Sequence, residues 1–165
     1  MNIKIIKKKD ISRVIINEPK TYNSLSFKNL NDLIKVFKKL DNDKNIKVLK
    51  NKDIARVIIN EPKTYNSLSF KNLNDLIKEL KKLDHDIKIK VIILEGAGKG
   101  CSASHNLKEV KSLKKREKDQ KLFNLCSKLM LQIVEGKTPV IAKVHGAAYA
   151  AGCQLVASCD LAYST

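Results

Sequence analysis

Apolar residues change their period within each 43-residue stretch of the first half of the chain. Asn45 to Leu49 and Ile54 to Ile59 are β-branched runs separated by the polar Lys50-Asn51-Lys52-Asp53, a pattern that predicts two strands joined by a turn. Glu61-Pro62 closes the second strand, because proline cannot donate to a ladder and restricts the residue before it. Beyond Ser69, which can cap a helix, Phe70, Leu73, Leu76, Ile77, Leu80 and Leu83 follow helical spacing and fall on one stripe. Lys71, Lys78 and Lys82 then face outward. The unit reads as β-β-α.

The same pattern precedes it. Asp10 to Asp41 matches Asp53 to Asp84 at 29 of 32 positions, the exceptions being Ser12/Ala55, Val36/Glu79 and Phe37/Leu80. Residues 2–44 are thus a duplicated β-β-α unit and residues 45–165 the second division of the chain. Near-identity of only two copies favours a tandem duplication over a solenoid, whose repeats diverge and number three or more.

From Lys88 the pattern changes. Ile89 to Leu94 reads as a strand, and all six glycines, at 96, 98, 100, 136, 146 and 152, follow it. Leu107 to Lys121 is highly charged and reads as an exposed helix or loop. Leu122, Leu125, Cys126, Leu129, Met130, Ile133 and Val134 predict an amphipathic helix ended by Gly136 and Pro139. Pro139 to Val144 is a buried strand, Gly146 marks a turn, a small-residue helix contains Leu155 to Ala157, and a last strand lies near Asp160 to Tyr163. The order is that of an α/β protein.

Composition narrows the chemistry. The net charge of +16 is spread as +6 over residues 2–44, +3 over 45–87 and +7 over 88–165, and only Arg13, Arg56 and Arg116 are arginine. With no tryptophan and no basic-aromatic interleaving, solvated lysine faces outweigh a nucleic-acid groove. The spacing of Cys101, Cys126, Cys153 and Cys159 offers no metal box and fits a reduced compartment. No apolar run reaches the ~18 residues of a membrane span, and no leader is visible before Ile3, so the residues alone read as cytosolic.

Three stretches in order resemble the crotonase (enoyl-CoA hydratase/isomerase) superfamily. They are Asn60-Glu61-Pro62-Lys63-Thr64-Tyr65-Asn66-Ser67-Leu68, then Glu95-Gly96-Ala97-Gly98-Lys99-Gly100-Cys101-Ser102-Ala103-Ser104-His105-Asn106-Leu107-Lys108, and finally Thr138 to Leu155, which continues into Ala157-Ser158-Cys159-Asp160-Leu161. The resemblance covers residues 45–165 and implies a crotonase-like spiral of β-β-α units, incomplete because the family's C-terminal helical region, which builds its trimers, is missing. Exposed apolar faces and marginal stability are expected. A homo-oligomer is implied by the family, though its trimerisation region is absent.

The resemblance also implies the chemistry. No cofactor is called for; a coenzyme A thioester is substrate or ligand. The backbone N–H groups of His105 and Ala151 fall where the family forms its oxyanion hole, and donors aimed at developing negative charge are often the largest catalytic contribution. Ala151 stands where the family has glycine, and Ser104 replaces a glycine that permits the turn. Lys63, Thr64, Tyr65, Ser102, Ala103 and Lys108 fall at coenzyme A contacts, with Lys20, Thr21 and Tyr22 as their first-copy equivalents. Gln154 occupies the position of a family glutamate and cannot take up a proton near neutral pH, and Asn106 replaces an aspartate. Enoyl-CoA hydration is therefore not expected. The resemblance implies a mitochondrial, fatty-acid-metabolic setting. Alternatives are an inactive fragment or gene-model artefact of such a protein, and a basic nucleic-acid-binding module.

Overall fold

The computed structural model describes the backbone of residues 2–8, 11–17, 31, 45–112 and 116–164, and the side chains of residues 45–111 and 120–164. The chain divides into two compact units, Met1–Lys44 and Asn45–Thr165. In the first, β1 (Asn2–Lys8) pairs antiparallel with β2 (Ile11–Asn17) from Asn2↔Asn17 to Lys8↔Ile11. The helix expected after it lies outside the described residues.

In the second unit, β3 (Ile46–Asn51) and β4 (Ile54–Ile59) form a hairpin with Ile46 opposite Ile59 and Asn51 opposite Ile54. Shifted by 43 residues, this is the register of β1 and β2, as repeated apolar positions and a repeated turn require. The turn is tighter than the four polar residues suggest: strand pairing continues through Lys50 and Asn51, and Lys52 alone takes a left-handed φ of 54°.

A short 3-10 turn (Pro62–Thr64) then leads into α1 (Phe70–Asp84). Ser69 caps this helix, its hydroxyl accepting from the Asn72 N–H at 3.1 Å. The Glu109 carboxylate accepts from the N–H of Phe70 at 3.0 Å, a favourable place for an acid. β5 (Val91–Gly96) follows, two residues later than the apolar run suggests, because Ile89 is buried ahead of the strand. Two helices lie in the charged stretch: α2 (Leu107–Ser112) precedes α3 (Arg116–Val134), which begins six residues before the first residue of its apolar stripe, Leu122. The chain closes with β6 (Val140–Val144), α4 (Ala151–Ala157) and β7 (Leu161–Ser164).

The five strands lie in the spatial order β3-β4-β5-β6-β7, antiparallel in the hairpin and parallel thereafter. Parallel neighbours need crossovers, which the helices supply. One sheet face, carrying Ala55, Val57, Ile59, Ile92, Leu94 and Val140, shares a core with Leu73, Leu76, Leu80 and Leu83 of α1 and Leu122, Cys126, Leu129 and Ile133 of α3. Of the three differences between residues 10–41 and 53–84, two fall in this core, at Ala55 and Leu80, where the first copy has Ser12 and Phe37.

The other face is mixed. Glu95 is 6% exposed yet charged, and is paired with Arg56 of β4 and with the Lys143 ammonium of β6 at 3.3 Å. A buried carboxylate needs such partners. Leu49, Ile54, Leu161 and Tyr163 remain exposed.

Candidate functional site

Two loops leave the C-terminal ends of adjacent parallel strands, where crevices form in α/β sheets. The loop after β5 carries Ala97 to Asn106, and the loop after β6 carries His145 to Ala150. They are sewn together by backbone: the N–H of Cys101 donates to the Ala147 carbonyl at 3.0 Å and that of Tyr149 to the Ser102 carbonyl at 3.0 Å. Ser102 and Ala148 form an isolated parallel bridge. The first motif joins from its own turn, where the Ala103 N–H reaches the Tyr65 carbonyl at 2.7 Å and the Leu68 N–H reaches that of Ser104 at 3.1 Å.

Asn66 organises this junction, a role the motif did not disclose. It is fully buried in the left-handed region at φ 56°, a conformation that asparagine tolerates better than most residues. Its amide nitrogen donates to the carbonyls of Ala97 and Gly100, each at 2.8 Å, and of Cys101 at 3.3 Å, while its oxygen accepts from the Glu61 N–H at 3.0 Å. His145 joins the loops too, with Nε2 2.9 Å from the Gly98 carbonyl. Since a carbonyl only accepts, Nε2 carries the proton there.

Small residues let the loops approach. A Cβ on Gly152 would lie 2.3 Å from the Ser102 carbonyl oxygen, and one on Gly96 2.0 Å from that of Cys101, so neither position admits a side chain. The backbone strain sits at Ala150, whose φ of 43° and ψ of −113° suit glycine. Ala151 itself is the first residue of α4 and helical, so its replacement of glycine needs no special conformation. Ser104 likewise is not among the residues with positive φ. The turn expected to need glycine there is made without it.

The residues singled out in the sequence are placed unevenly. The N–H groups of His105 and Ala151 have no hydrogen-bond acceptor among the described residues. The His105 side chain turns back, with Nδ1 3.3 Å from the Leu68 carbonyl and its ring edge-on to Phe123 at 5.3 Å. Ser102 is buried, and its hydroxyl is taken by the Asn66 carbonyl at 2.9 Å, so its side chain belongs to the loop's interior. The Thr64 hydroxyl bonds the Glu61 carbonyl at 3.1 Å. Lys63, Tyr65, Lys108 and Gln154 are exposed, and Ala103 is half-buried. Burial pushes the thiols of Cys101 and Cys126 up and that of Cys159 to about 12, the last with help from the neighbouring Asp160 and Cys101. They are not thiolates at neutral pH. Among the described residues no group of histidines, cysteines or acids could hold a metal ion, and no helix is long and apolar enough to cross a membrane.

A separate cavity lies elsewhere. It is an open groove of about 590 Å³ between α1 and α3, with Ile77, Lys81, His85, Lys128 and Leu131 along it, and none of the motif residues reaches it.

A mixed α/β unit with a five-stranded sheet and these interlocked loops is of the crotonase type, and the enoyl-CoA hydratase/isomerase family model matches residues 50–165. The chain belongs to that family. Among curated proteins it is similar to human enoyl-CoA hydratase domain-containing protein 3, mitochondrial, with 46% identity over 74 residues, covering 45% of this chain and 24% of the relative. The zebrafish (Danio rerio) protein of the same name is 45% identical over 74 residues, covering 45% and 26%. The crystal structure of the human protein superimposes with a TM-score of 0.71 at 36% identity, covering 73% of this chain and 48% of that one. An enoyl-CoA hydratase from Mycobacterium smegmatis does so at 0.72 and 37%, covering 74% and 48%. The chain thus spans about a quarter of the curated relatives' length in sequence and about half of the solved structures.

Proposed function

We propose that the chain binds an acyl-CoA thioester in the crevice between the loops after β5 and β6, in the setting of fatty-acid metabolism and, following the naming of its relatives, in mitochondria. The thioester oxygen accepts from the N–H groups of His105 and Ala151. The single observation that carries this reading is that the two loops are locked together while both N–H groups keep no acceptor among the described residues. Unpaired donors on a rigid frame suit an anionic oxygen, and they cost no reorganisation when charge develops. Lys63, Thr64, Tyr65, Ala103 and Lys108 line the approach for the nucleotide end, where exposed lysines meet phosphate charge. Ser102 contributes through its backbone, its hydroxyl being engaged.

Hydration is not part of the proposal. Gln154 is a neutral amide exposed on α4 and supplies no proton acceptor for water.

The test is titration with acetyl-CoA and crotonyl-CoA against a nucleic-acid control. Folded wild-type protein is expected to take the thioesters and not the nucleic acid. Ala151→Pro removes one N–H at the first position of a helix, where proline is tolerated, and should weaken thioester binding about 3- to 10-fold, the worth of one hydrogen bond. Equal binding by folded wild type and variant would sink the oxyanion assignment.

A further inference from the structure

We propose that the groove between α1 and α3 is a second ligand site, for an aliphatic carboxylate. The head is held by Asn124, Ser127 and Lys128, and the chain lies over Ile77 and Leu131 towards the ends of the two helices. This site is separate from the crevice, and it goes beyond the thioester reading without resting on it.

Size and lining suit a small ligand. At about 590 Å³ the groove falls within the roughly 300–1,000 Å³ of small-molecule sites. Each helix gives it one stripe, Ile77, Lys81 and His85 from α1 and Asn124, Lys128, Leu131 and Glu135 from α3, at the spacing of residues that share a helix face. The helices are tied where the Gln132 amide nitrogen donates to the Ile77 carbonyl at 3.0 Å. Ile77 and the 55% exposed Leu131 supply aliphatic surface at this level. Towards the sheet lies a small void of about 10 Å³, which shares Asp84, Gln132 and Gly136 with the groove and takes a mainly apolar wall from Leu80, Ile92, Ile133 and Val140. A void of that size and lining suits a chain's terminal methyl better than a water, which needs several polar partners.

Charge sets the direction of the ligand. Helices α1 and α3 lie in successive crossovers between parallel strands, so they run the same way. Their C-terminal ends meet at one end of the groove, where the Asp84 carboxylate of α1 takes the N–H groups of Lys137 and Thr138 just beyond α3. Helix C-termini carry partial negative charge, and Glu135 and Asp84 add to it. Lys81 and His85, whose Nδ1 is 2.8 Å from the Lys81 carbonyl, stand against that charge without exceeding it. The opposite end is different, because no acid lines it. Lys128 is exposed and makes no ion pair among the described residues. Ser127 adds a hydroxyl. The Asn124 carbonyl already accepts from Gln120 at 3.0 Å, which leaves its N–H groups to donate. An ammonium, a hydroxyl and an amide N–H at one end of an aliphatic surface are the complement of a carboxylate on a hydrocarbon chain.

The test is calorimetric titration of the full chain with octanoate, octanol and octylamine, repeated in the presence of excess acetyl-CoA. Octanoate should bind once per chain, about 10-fold more tightly than octanol, the worth of one hydrogen bond to a charged group. Octylamine, whose head would meet Lys128, should not bind. Lys128→Glu should weaken octanoate about 10-fold or more, whereas Lys121→Glu, the same charge change on the same helix but outside the groove, should leave it unchanged. Leu131→Gln should weaken octanoate and octanol alike, about 3- to 10-fold, through lost apolar contact. Acetyl-CoA should not displace octanoate, which separates this groove from the crevice. Displacement by acetyl-CoA, equal losses in the two lysine variants, octylamine binding as tightly as octanoate, or no saturable uptake by folded wild type would each overturn the assignment.

Discussion

Asn66 shows how much one side chain can decide. Three carbonyl oxygens from the β5 loop converge on its amide nitrogen, and its own carbonyl caps the Glu61 N–H, so a single residue fixes the path of both the Pro62 turn and the first glycine-rich loop. Asn66→Ala leaves several buried backbone groups without partners and puts alanine in the left-handed region, which should cost about 3–5 kcal/mol. Asn66→Asp keeps the shape but aims an oxygen at three oxygens, and should be no better. Urea unfolding of the two variants checks this; a loss under about 1 kcal/mol for both would mean that the loops hold without it. The family motif marked Asn66 only as a position to match. The three carbonyls that it bonds come from residues more than thirty positions away, and no local pattern announces them. His145 is missed for the same reason, its partner Gly98 lying 47 positions away.

At the scale of elements, periodicity served best where one face is buried and the other solvated. Helix α1 follows its stripe, from the Ser69 cap onward. Helix α3 outruns its stripe because its first turns are charged on all sides, and apolar spacing has nothing to register there. β5 is offset for another reason: Ile89 is buried ahead of the strand, so the apolar run begins before the pairing does. What joins the elements is again polar and distant. The Asp84 carboxylate, at the end of α1, accepts from the N–H groups of Lys137 and Thr138, each at 2.8 Å, and so ties that helix to the turn entering β6. Burial pushes this carboxyl up, but those N–H groups, the Thr138 hydroxyl and the nearby His85 outweigh burial and hold it below its ordinary value of 3.8. A carboxyl depressed in the folded state contributes stability above its unfolded value, and that contribution is lost as the pH falls through the folded one. Asp84→Ala should therefore cost about 1–2 kcal/mol at pH 7 and progressively less below pH ~4, measured as the difference in unfolding free energy from wild type. A difference that stays constant from pH 7 to pH 3 would assign the loss to packing and not to the charge.

For the whole molecule, the sheet has one face closed by α1 and α3 and another on which the Arg56-Glu95-Lys143 cluster is flanked by Leu49, Ile54, Leu161 and Tyr163 in contact with solvent. Apolar side chains gathered on one face promote association, so Leu161→Lys with Tyr163→Lys should lower the apparent size of the particle in light scattering while leaving the melting temperature within a few degrees. An unchanged particle would show that these residues are not what draws copies together. The strands of the second unit stand side by side in the order in which the ribosome delivers them. Each new strand can thus dock on the one just made, and no earlier pairing has to be opened to admit it. Every nascent length, however, ends in a raw ladder of unpaired N–H and C=O groups. Assembly of this sheet runs in the direction of translation, and its exposure to mispairing is greatest at the strand most recently released, which makes chaperone capture a matter of timing along the message.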